Sequence, residues 1–261
     1  MIKLIVTDLD GTILDGEGKL SEEFELVFDE LEKRDIMFMA ASGRQYPNLK
    51  ELFRAPGEKM DFIAENGTFA IHKGKELFTK PIDMDSVCEI IDYTRPIERK
   101  EIVLNTKYCA YIENPEFVPI MQIYNTSIKV VDDLKEVKED VLKVSIYDYG
   151  IIGEHCSDYF EKFADRMQVC TSGEHWMDLA RKGTNKGDAL EEVKRLYNLK
   201  DDEVMIFGDQ MNDLEMMKCG YYSYAMENAI DEVKEAARFT AGKNTENGVL
   251  EKIKEVIGIE A

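Results

Sequence analysis

Short apolar runs alternate with segments of helical periodicity at both ends of the chain. The run at residues 2–7 is rich in β-branched side chains and stops at an acidic loop, which is typical of a buried strand. Four further runs predict strands of the same kind, at residues 36–41, 62–64, 203–207 and 221–226. Each run ends in polar residues, so the polar loops are expected at the carboxyl ends of the strands.

Apolar residues at helical spacing fill the segments between these strands. Phe24, Val27, Phe28 and Leu31 recur with a period near 3.6 and predict a helix. A second helix is predicted to begin near Lys186. A third is expected near the C-terminus at Leu250 and Ile253, and Asn228 is expected to cap the helix that precedes it. Alternation of strands and helices favours an α/β fold with a parallel sheet covered on both faces.

The middle of the chain has a different pattern of predicted elements. Short β-like runs at residues 101–104, 108–112 and 141–147 alternate there with helical stretches, and prolines are frequent. We interpret residues 82–181 as an inserted α+β domain. Residues 1–81 and 182–261 then form the core, which is interrupted by this insertion.

Charge and cysteine content limit the classes of molecule that the protein is expected to bind and the compartment in which it is expected to be found. The 261 residues include 33 lysines and arginines against 53 aspartates and glutamates, a net charge of −20. A field of this sign repels nucleic acid and anionic lipid head groups, so neither is expected as a partner. No apolar run approaches the length of a membrane span. Five widely spaced cysteines without a Cys-x-x-Cys pair argue against a zinc or disulfide framework and favour a cytoplasmic location.

The first candidate chemistry is the motif Asp8-Leu9-Asp10-Gly11-Thr12, directly after the first predicted strand. Ligands of open parallel sheets bind at the carboxyl ends of the strands. Two carboxylates this close repel each other, and a hard divalent cation such as Mg²⁺ would relieve the repulsion. By itself, however, an Asp-x-Asp motif is also compatible with a solvated acidic turn.

Three further loops follow predicted elements in the same way. Ser42-Gly43 offers a hydroxyl group and an unhindered N–H group, Lys186 offers a cation, and Gly208-Asp209 begins another acidic segment that runs to Asp213. Taken singly, these features are also compatible with an ordinary turn, a solvated lysine and a helix N-cap. Together and in this order, they favour a phosphoryl-binding site.

The complete set resembles the haloacid dehalogenase-like hydrolase superfamily, and within it the Cof-type sugar-phosphatase-like group. Glu65-Asn66-Gly67 and Asn247-Gly248-Val249 are also similar to segments of that group. The resemblance implies a doubly wound parallel-sheet, Rossmann-like core with an inserted α+β cap of type IIB that governs substrate specificity. It also implies a Mg²⁺-dependent phosphatase that acts on a small phosphorylated metabolite, with sugar phosphates as the default class.

The resemblance also implies a role for each motif residue. Asp8 would be the nucleophile that forms an aspartyl-phosphate, and Asp10 the general acid and base. The Mg²⁺ ligands would be Asp8, the backbone carbonyl of Asp10, and Asp209. The phosphoryl group would be held by Ser42, Lys186, Asn212 and the N–H groups of Leu9 and Gly43. Asp213 would support the metal or Lys186, and the substrate rim would include Arg44 and Asn66.

Two other functions remain open at the level of sequence. A phosphomutase or phosphotransferase would use the same Asp8 nucleophile but pass the phosphoryl group to another hydroxyl group. A non-catalytic sensor would keep the fold and bind a sugar phosphate without turnover. The motifs leave the physiological substrate and the oligomeric state undetermined.

Overall fold

The computed structural model describes residues 1–54, 56–150, 160–171 and 174–259. The chain forms two compact units. The first comprises Met1–Arg44, Leu49–Phe78 and Asn185–Ala261, and the second comprises Gln45–Asn48 and Thr79–Thr184. Residues 45–48 therefore belong to the second unit, although the sequence analysis assigned them to the core.

The described residues form strands and α-helices with the following bounds. The strands are, in chain order, β1 (Leu4–Thr7), β2 (Met37–Ala41), β3 (Asp61–Ala64), β4 (Phe69–His72), β5 (Lys75–Thr79), β6 (Lys100–Thr106), β7 (Ala110–Ile112), β8 (Ile128–Val130), β9 (Val141–Asp148), β10 (Met167–Thr171), β11 (Trp176–Arg181), β12 (Val204–Gly208), β13 (Tyr222–Met226) and β14 (Phe239–Ala241). The helices are α1 (Phe24–Lys33), α2 (Tyr46–Phe53), α3 (Met84–Thr94), α4 (Val118–Tyr124), α5 (Lys186–Tyr197), α6 (Asp231–Ala236) and α7 (Gly248–Ile257). Within the described ranges, no helix combines the length and the apolar character needed to cross a bilayer.

An eight-stranded sheet forms the centre of the first unit, in the order β14-β13-β12-β1-β2-β3-β4-β5. All neighbours from β14 to β3 are parallel, which confirms the predicted parallel α/β core. The chain runs outward from β1 in one direction through β2 and β3, and in the other direction through β12 and β13. Strand β4 pairs antiparallel with β3, a feature that the sequence analysis did not predict.

The helices of the first unit bury the faces that the sequence predicted. In α1, the side chains of Phe24, Val27, Phe28 and Leu31 are all buried. The predicted cap at Asn228 is wrong, because α6 begins at Asp231 with Ile230 in the N-cap position. The Asn228 side chain instead donates to the Gly11 carbonyl at 2.7 Å, so it links two loops of the unit.

The second unit contains a six-stranded sheet in the order β10-β11-β9-β6-β7-β8. Its strands pair antiparallel apart from β7 and β8, which are parallel. Side chains alternate between the two faces of the sheet. One face supplies the apolar core that includes Val87 and Ile90 of α3, with Leu104, Val144 and Leu179 from the strands.

Candidate active site

The candidate site lies where the strand order of the first unit reverses. Strands β1 and β12 are parallel neighbours, and Thr7 is paired with Phe207 at their carboxyl ends. The Asp8 N–H group donates to the Phe207 carbonyl at 3.0 Å. The segments that begin at Asp8 and Asp209 therefore emerge side by side, at the position where open α/β sheets bind ligands. Strand β2, on the other side of β1, delivers Ser42 to the same edge.

Three acidic side chains converge there. One carboxylate oxygen from each of Asp8, Asp209 and Asp213 lies within 4.8 Å of the others. The Lys186 ammonium group donates to Asp8 Oδ1 at 2.5 Å and to Asp213 Oδ1 at 2.7 Å. Lys186 is completely buried. We refer to these four residues as the acidic cluster.

Burial and neighbouring charges shift the pKa values of three residues of the acidic cluster. Burial, with a further contribution from the Asp213 charge, raises the pKa of Asp8 to about 7, although the Lys186 ammonium group acts in the opposite direction. Burial also raises the pKa of Asp209, against the hydrogen bond from Thr12. For Lys186, burial disfavours the charged form, but Asp8 and Asp213 outweigh it and raise the pKa. Lys186 therefore stays protonated at neutral pH.

The donor set fits a hard divalent cation. Three carboxylates and one ammonium group leave two negative charges when all are ionised, and carboxylate oxygens are the ligands that Mg²⁺ prefers. Among the described residues, Asp8 Oδ2 accepts no hydrogen bond, so this oxygen can bind a cation or attack a substrate. Asp209 is oriented by Thr12, whose hydroxyl group donates to Oδ1 at 2.8 Å. Asp213 Oδ2 accepts from the N–H group of Asp209 at 3.0 Å.

Glycine is required at position 11 of the first motif. The backbone there has φ of +81°, and a Cβ atom would lie 2.3 Å from Asp209 Oδ2. A side chain would therefore strain the backbone and displace Asp209. The absence of a side chain lets the loop after β1 approach the loop after β12 closely.

Lys186 is positioned by the start of helix α5. Asn185 is the N-cap of this helix, and its side chain accepts from the N–H group of Asp188 at 2.8 Å. Lys186 is the first helical residue. This rigid start holds the ammonium group between two carboxylates, since the backbone cannot rotate without breaking the cap.

The loop after β2 is held by the loop after β3. Ser42 accepts from the N–H group of Asn66 at 2.9 Å through its carbonyl, and its hydroxyl oxygen accepts from the Arg44 N–H group at 3.2 Å. A Cβ atom on Gly43 would lie 3.0 Å from Asn66 Nδ2. Asn66 Oδ1 in turn accepts from Asn212 Nδ2 at 3.2 Å. Asn66, a predicted rim residue, thus connects the loops that carry Ser42 and Asn212.

The structure pairs the predicted rim residue Arg44 with Asp10. The Arg44 guanidinium group donates to Asp10 Oδ2 at 3.0 Å through Nε and to Oδ1 at 2.5 Å through Nη2. Both side chains are partly exposed, with 58% of the Asp10 side chain accessible. Asp10 is therefore engaged in a two-pronged ion pair with Arg44 and is not one of the three carboxylates that converge in the acidic cluster.

Sequence reasoning assigned no role to Thr12, although it quoted the residue as part of the first motif. Thr12 is buried and hydrogen-bonded to Asp209 across 197 residues of chain. Its place in the motif was the only indication of a role. A threonine four residues after an aspartate does not by itself indicate which residue its hydroxyl group contacts.

Comparison with known proteins gives a consistent picture. Residues 5–253 match the family model described as haloacid dehalogenase-like hydrolase. The 5-amino-6-(5-phospho-D-ribitylamino)uracil phosphatase YbjI of Escherichia coli is 29% identical, over 100% of this chain and 98% of its own. A phosphoglycolate phosphatase of Metallosphaera sedula is 27% identical, over 97% and 98% respectively. A crystal structure from Streptococcus mutans is similar with a TM-score of 0.85 and 30% identity, covering 99% of this chain and 100% of that chain.

Proposed function

The chain belongs to the haloacid dehalogenase-like hydrolases, and on that premise we propose that it is a Mg²⁺-dependent phosphatase of small phosphorylated metabolites. The observation that carries the proposal is the convergence of Asp8, Asp209 and Asp213 around the buried Lys186 ammonium group. Such an arrangement suits phosphoryl transfer, which depends mostly on positioning and on neutralising charge.

Asp8 is the nucleophile of the proposed reaction. Lys186 holds its Oδ1 atom, which leaves Oδ2 to attack phosphorus. A bond forms between Oδ2 and phosphorus while the bond from phosphorus to the leaving oxygen breaks, which gives an aspartyl-phosphate. Water then attacks the phosphorus atom, inorganic phosphate leaves and the Asp8 carboxylate is regenerated.

Asp10 is the proposed general acid and base. It gives a proton to the leaving oxygen in the first step and takes one from water in the second. The Arg44 guanidinium group occupies both carboxylate oxygens of Asp10, so this ion pair must open before Asp10 can contact the leaving oxygen. Release of Arg44 is therefore a step that precedes the loss of the leaving group.

The remaining motif residues bind the charged groups in this proposal. Mg²⁺ would be held by Asp8, Asp209 and the Asp10 carbonyl, with Asp213 in support, and it would neutralise the phosphoryl charge. Lys186, Ser42, Asn212 and the N–H groups of Leu9 and Gly43 would donate hydrogen bonds to the phosphoryl oxygens. Asn66 would position Asn212 through the bond between their side chains.

The substrates named for two relatives support the proposed class of substrate. One relative is named for a phosphorylated ribitylaminouracil and the other for phosphoglycolate. Both are small phosphate monoesters. We place the choice between such substrates in the second unit, which we propose acts as the cap domain.

The test measures phosphate release from 4-nitrophenyl phosphate with and without Mg²⁺. Asp8→Asn keeps the side-chain shape but removes the nucleophile, and we expect it to abolish turnover. Asp35→Asn is the matched control, since Asp35 is exposed and has a left-handed backbone with φ of 54° that asparagine tolerates. Acid-quenched wild-type enzyme should carry one phosphoryl group by mass spectrometry. Equal rates for wild type and Asp8→Asn would refute the nucleophile assignment.

A further inference from the structure

Two asparagine side chains connect the loop after β1 to the loops after β13 and β14. Asn228 Nδ2 donates to the Gly11 carbonyl at 2.7 Å, and Asn228 Oδ1 accepts from the Asn244 N–H group at 3.0 Å. Asn244 Nδ2 donates in turn to the Leu14 carbonyl at 2.9 Å. All four residues belong to the first unit. We refer to Asn228 and Asn244 as the asparagine pair.

The partners of Asn228 determine the orientation of its amide group. A backbone N–H group can only donate and a backbone carbonyl can only accept, so Oδ1 must face Asn244 and Nδ2 must face Gly11. Rotation of the amide group by half a turn would break both bonds. Asn228 is exposed, so water could satisfy the same amide group without either partner. The two bonds therefore serve to order the loops that they join rather than to satisfy a buried polar group.

The turn that Asn228 holds contains the most adaptable backbone of the first motif. Residues Leu9–Ile13 form an irregular helical turn, in which Asp10 has ψ of 116° and Gly11 has φ of +81°. Glycine has a wider choice of backbone angles than any other residue. The peptide group that follows Gly11 therefore needs a contact from outside the turn to fix its orientation. The carbonyl of this peptide group is the atom that Asn228 binds.

The orientation of this peptide group affects the residues on both sides of it. Thr12 follows it and donates to Asp209 Oδ1 at 2.8 Å. Asp10 lies on the other side and supplies the carbonyl that the proposed function assigns to Mg²⁺. The loop after β13 also holds Asp209 directly, because the Ile230 N–H group donates to the Asp209 carbonyl at 3.0 Å. Two residues of this loop, Asn228 and Ile230, thus contact both segments that carry proposed Mg²⁺ ligands.

We propose that Asn228 is a positioning residue of the Mg²⁺ site. Its amide group fixes the turn that carries the Asp10 carbonyl relative to Asp209, and Asn244 keeps that amide group in place. The inference rests on the proposed function, which assigns Mg²⁺ to these ligands. Residues that orient metal ligands are needed for affinity although they do not touch the metal, and their replacement typically weakens binding about 10–100-fold.

The experiment measures the dissociation constant of Mg²⁺ by calorimetry in the absence of substrate. Asn228→Ala removes both bonds of the amide group and should raise the dissociation constant about tenfold. Asn244→Ala removes only the bond to Leu14, because the backbone N–H group that Asn228 accepts from remains. It should raise the dissociation constant about threefold, as expected for one hydrogen bond between neutral groups.

Asn198→Ala is the control for a loss of stability away from the site. Asn198 is exposed and follows the last residue of α5 in a left-handed conformation with φ of 51°, which alanine adopts only with strain. This variant should therefore have a lower melting temperature than the wild type but the same Mg²⁺ dissociation constant. The comparison separates an effect on ligand geometry from a general loss of stability.

Equal dissociation constants for the wild type and Asn228→Ala would overturn the inference, as would an equal rise in Asn198→Ala. If circular dichroism shows that Asn228→Ala is unfolded, Asn244→Ala decides the question in the same way. A wild-type protein that binds Mg²⁺ but releases no phosphate from 4-nitrophenyl phosphate would contradict the proposed function alone, and the dissociation constants would still decide the inference. A wild-type protein that binds no Mg²⁺ would overturn it.

Discussion

Replacement of Lys186 by methionine removes the buried ammonium group that two carboxylates of the acidic cluster share. The side chain is 0% exposed and makes charge-assisted bonds of 2.5 Å to Asp8 and 2.7 Å to Asp213. Removal of one partner from a buried ion pair costs about 3–5 kcal/mol. We therefore expect Lys186→Met to lower the free energy of unfolding by that amount and to leave a folded protein, since domains of this kind have about 5–15 kcal/mol in total.

The loss in the free energy of unfolding of Lys186→Met should increase with pH. Lys186 lowers the pKa of Asp8, so its removal raises that pKa further above the value of about 7. A carboxyl group whose pKa is higher in the folded than in the unfolded state binds more protons when folded, and stability then falls as pH rises. Urea unfolding of Lys186→Met should therefore give a lower free energy at pH 8 than at pH 5. Added Mg²⁺ should stabilise this variant more than the wild type, because the cation replaces the missing charge.

Lys194→Met provides the matched control. Lys194 is also buried, but its carboxylate partners Glu191 and Asp201 are 54% and 73% exposed. Those carboxylates can return to water, and the remaining partner is the Cys219 carbonyl, which accepts from Lys194 at 2.5 Å. The loss should therefore be about 1–3 kcal/mol, below that of Lys186→Met. The reasoning would be refuted by a Lys186→Met protein that is no less stable than Lys194→Met, or by one whose stability rises between pH 5 and pH 8.

Two more predictions concern single positions in the first unit. Gly11→Ala should destabilise the protein by about 1–3 kcal/mol and weaken Mg²⁺ binding in calorimetry, because the added methyl group would meet Asp209. Asp61→Asn should raise the melting temperature at pH 8 and have less effect at pH 5. Burial raises the pKa of Asp61, against the opposing contribution of His72, so ionisation of this carboxyl group costs more stability as pH rises.

Two exposed positions serve as controls for these predictions. Gly74 has φ of +76° and no atom within 4 Å of a built Cβ atom, so Gly74→Ala measures backbone strain without the clash. A loss for Gly11→Ala no larger than that for Gly74→Ala would contradict the close-approach argument. Asp202→Asn changes the net charge as Asp61→Asn does, but at the surface. An equal pH dependence in both variants would show that burial of Asp61 is not the cause.

The sequence could predict those features of the fold and family that depend on a local pattern of residues. The family and its hydrolase class are confirmed by the match over residues 5–253, and the parallel core and the buried face of α1 are confirmed by the structure. Each of these follows from short-range periodicity or from a contiguous motif. The roles assigned to the individual site residues remain predictions.

Contacts between distant segments could not be predicted. Arg44 and Asp10 are 34 residues apart, and nothing in either segment indicates that they form a two-pronged ion pair. Asn228 had the composition of a helix cap, yet its amide group bonds to Gly11 across 217 residues because tertiary contacts outweigh local preference. Strand β4 was missed although its four residues form a longer run than residues 62–64, because its antiparallel pairing with β3 is a tertiary contact that a local pattern does not indicate.

The pairing of β1 with β12 has a consequence for biosynthesis. A ribosome that has just completed β1 at Thr7 must still add 200 residues to reach Phe207, the partner of Thr7 on β12. At about 5–20 residues per second, this takes about 10–40 s. Throughout that interval one side of β1 has unsatisfied backbone groups, which makes the nascent polypeptide a template for aggregation and a substrate for chaperones. A polypeptide truncated before Val204 would keep that edge of β1 exposed permanently.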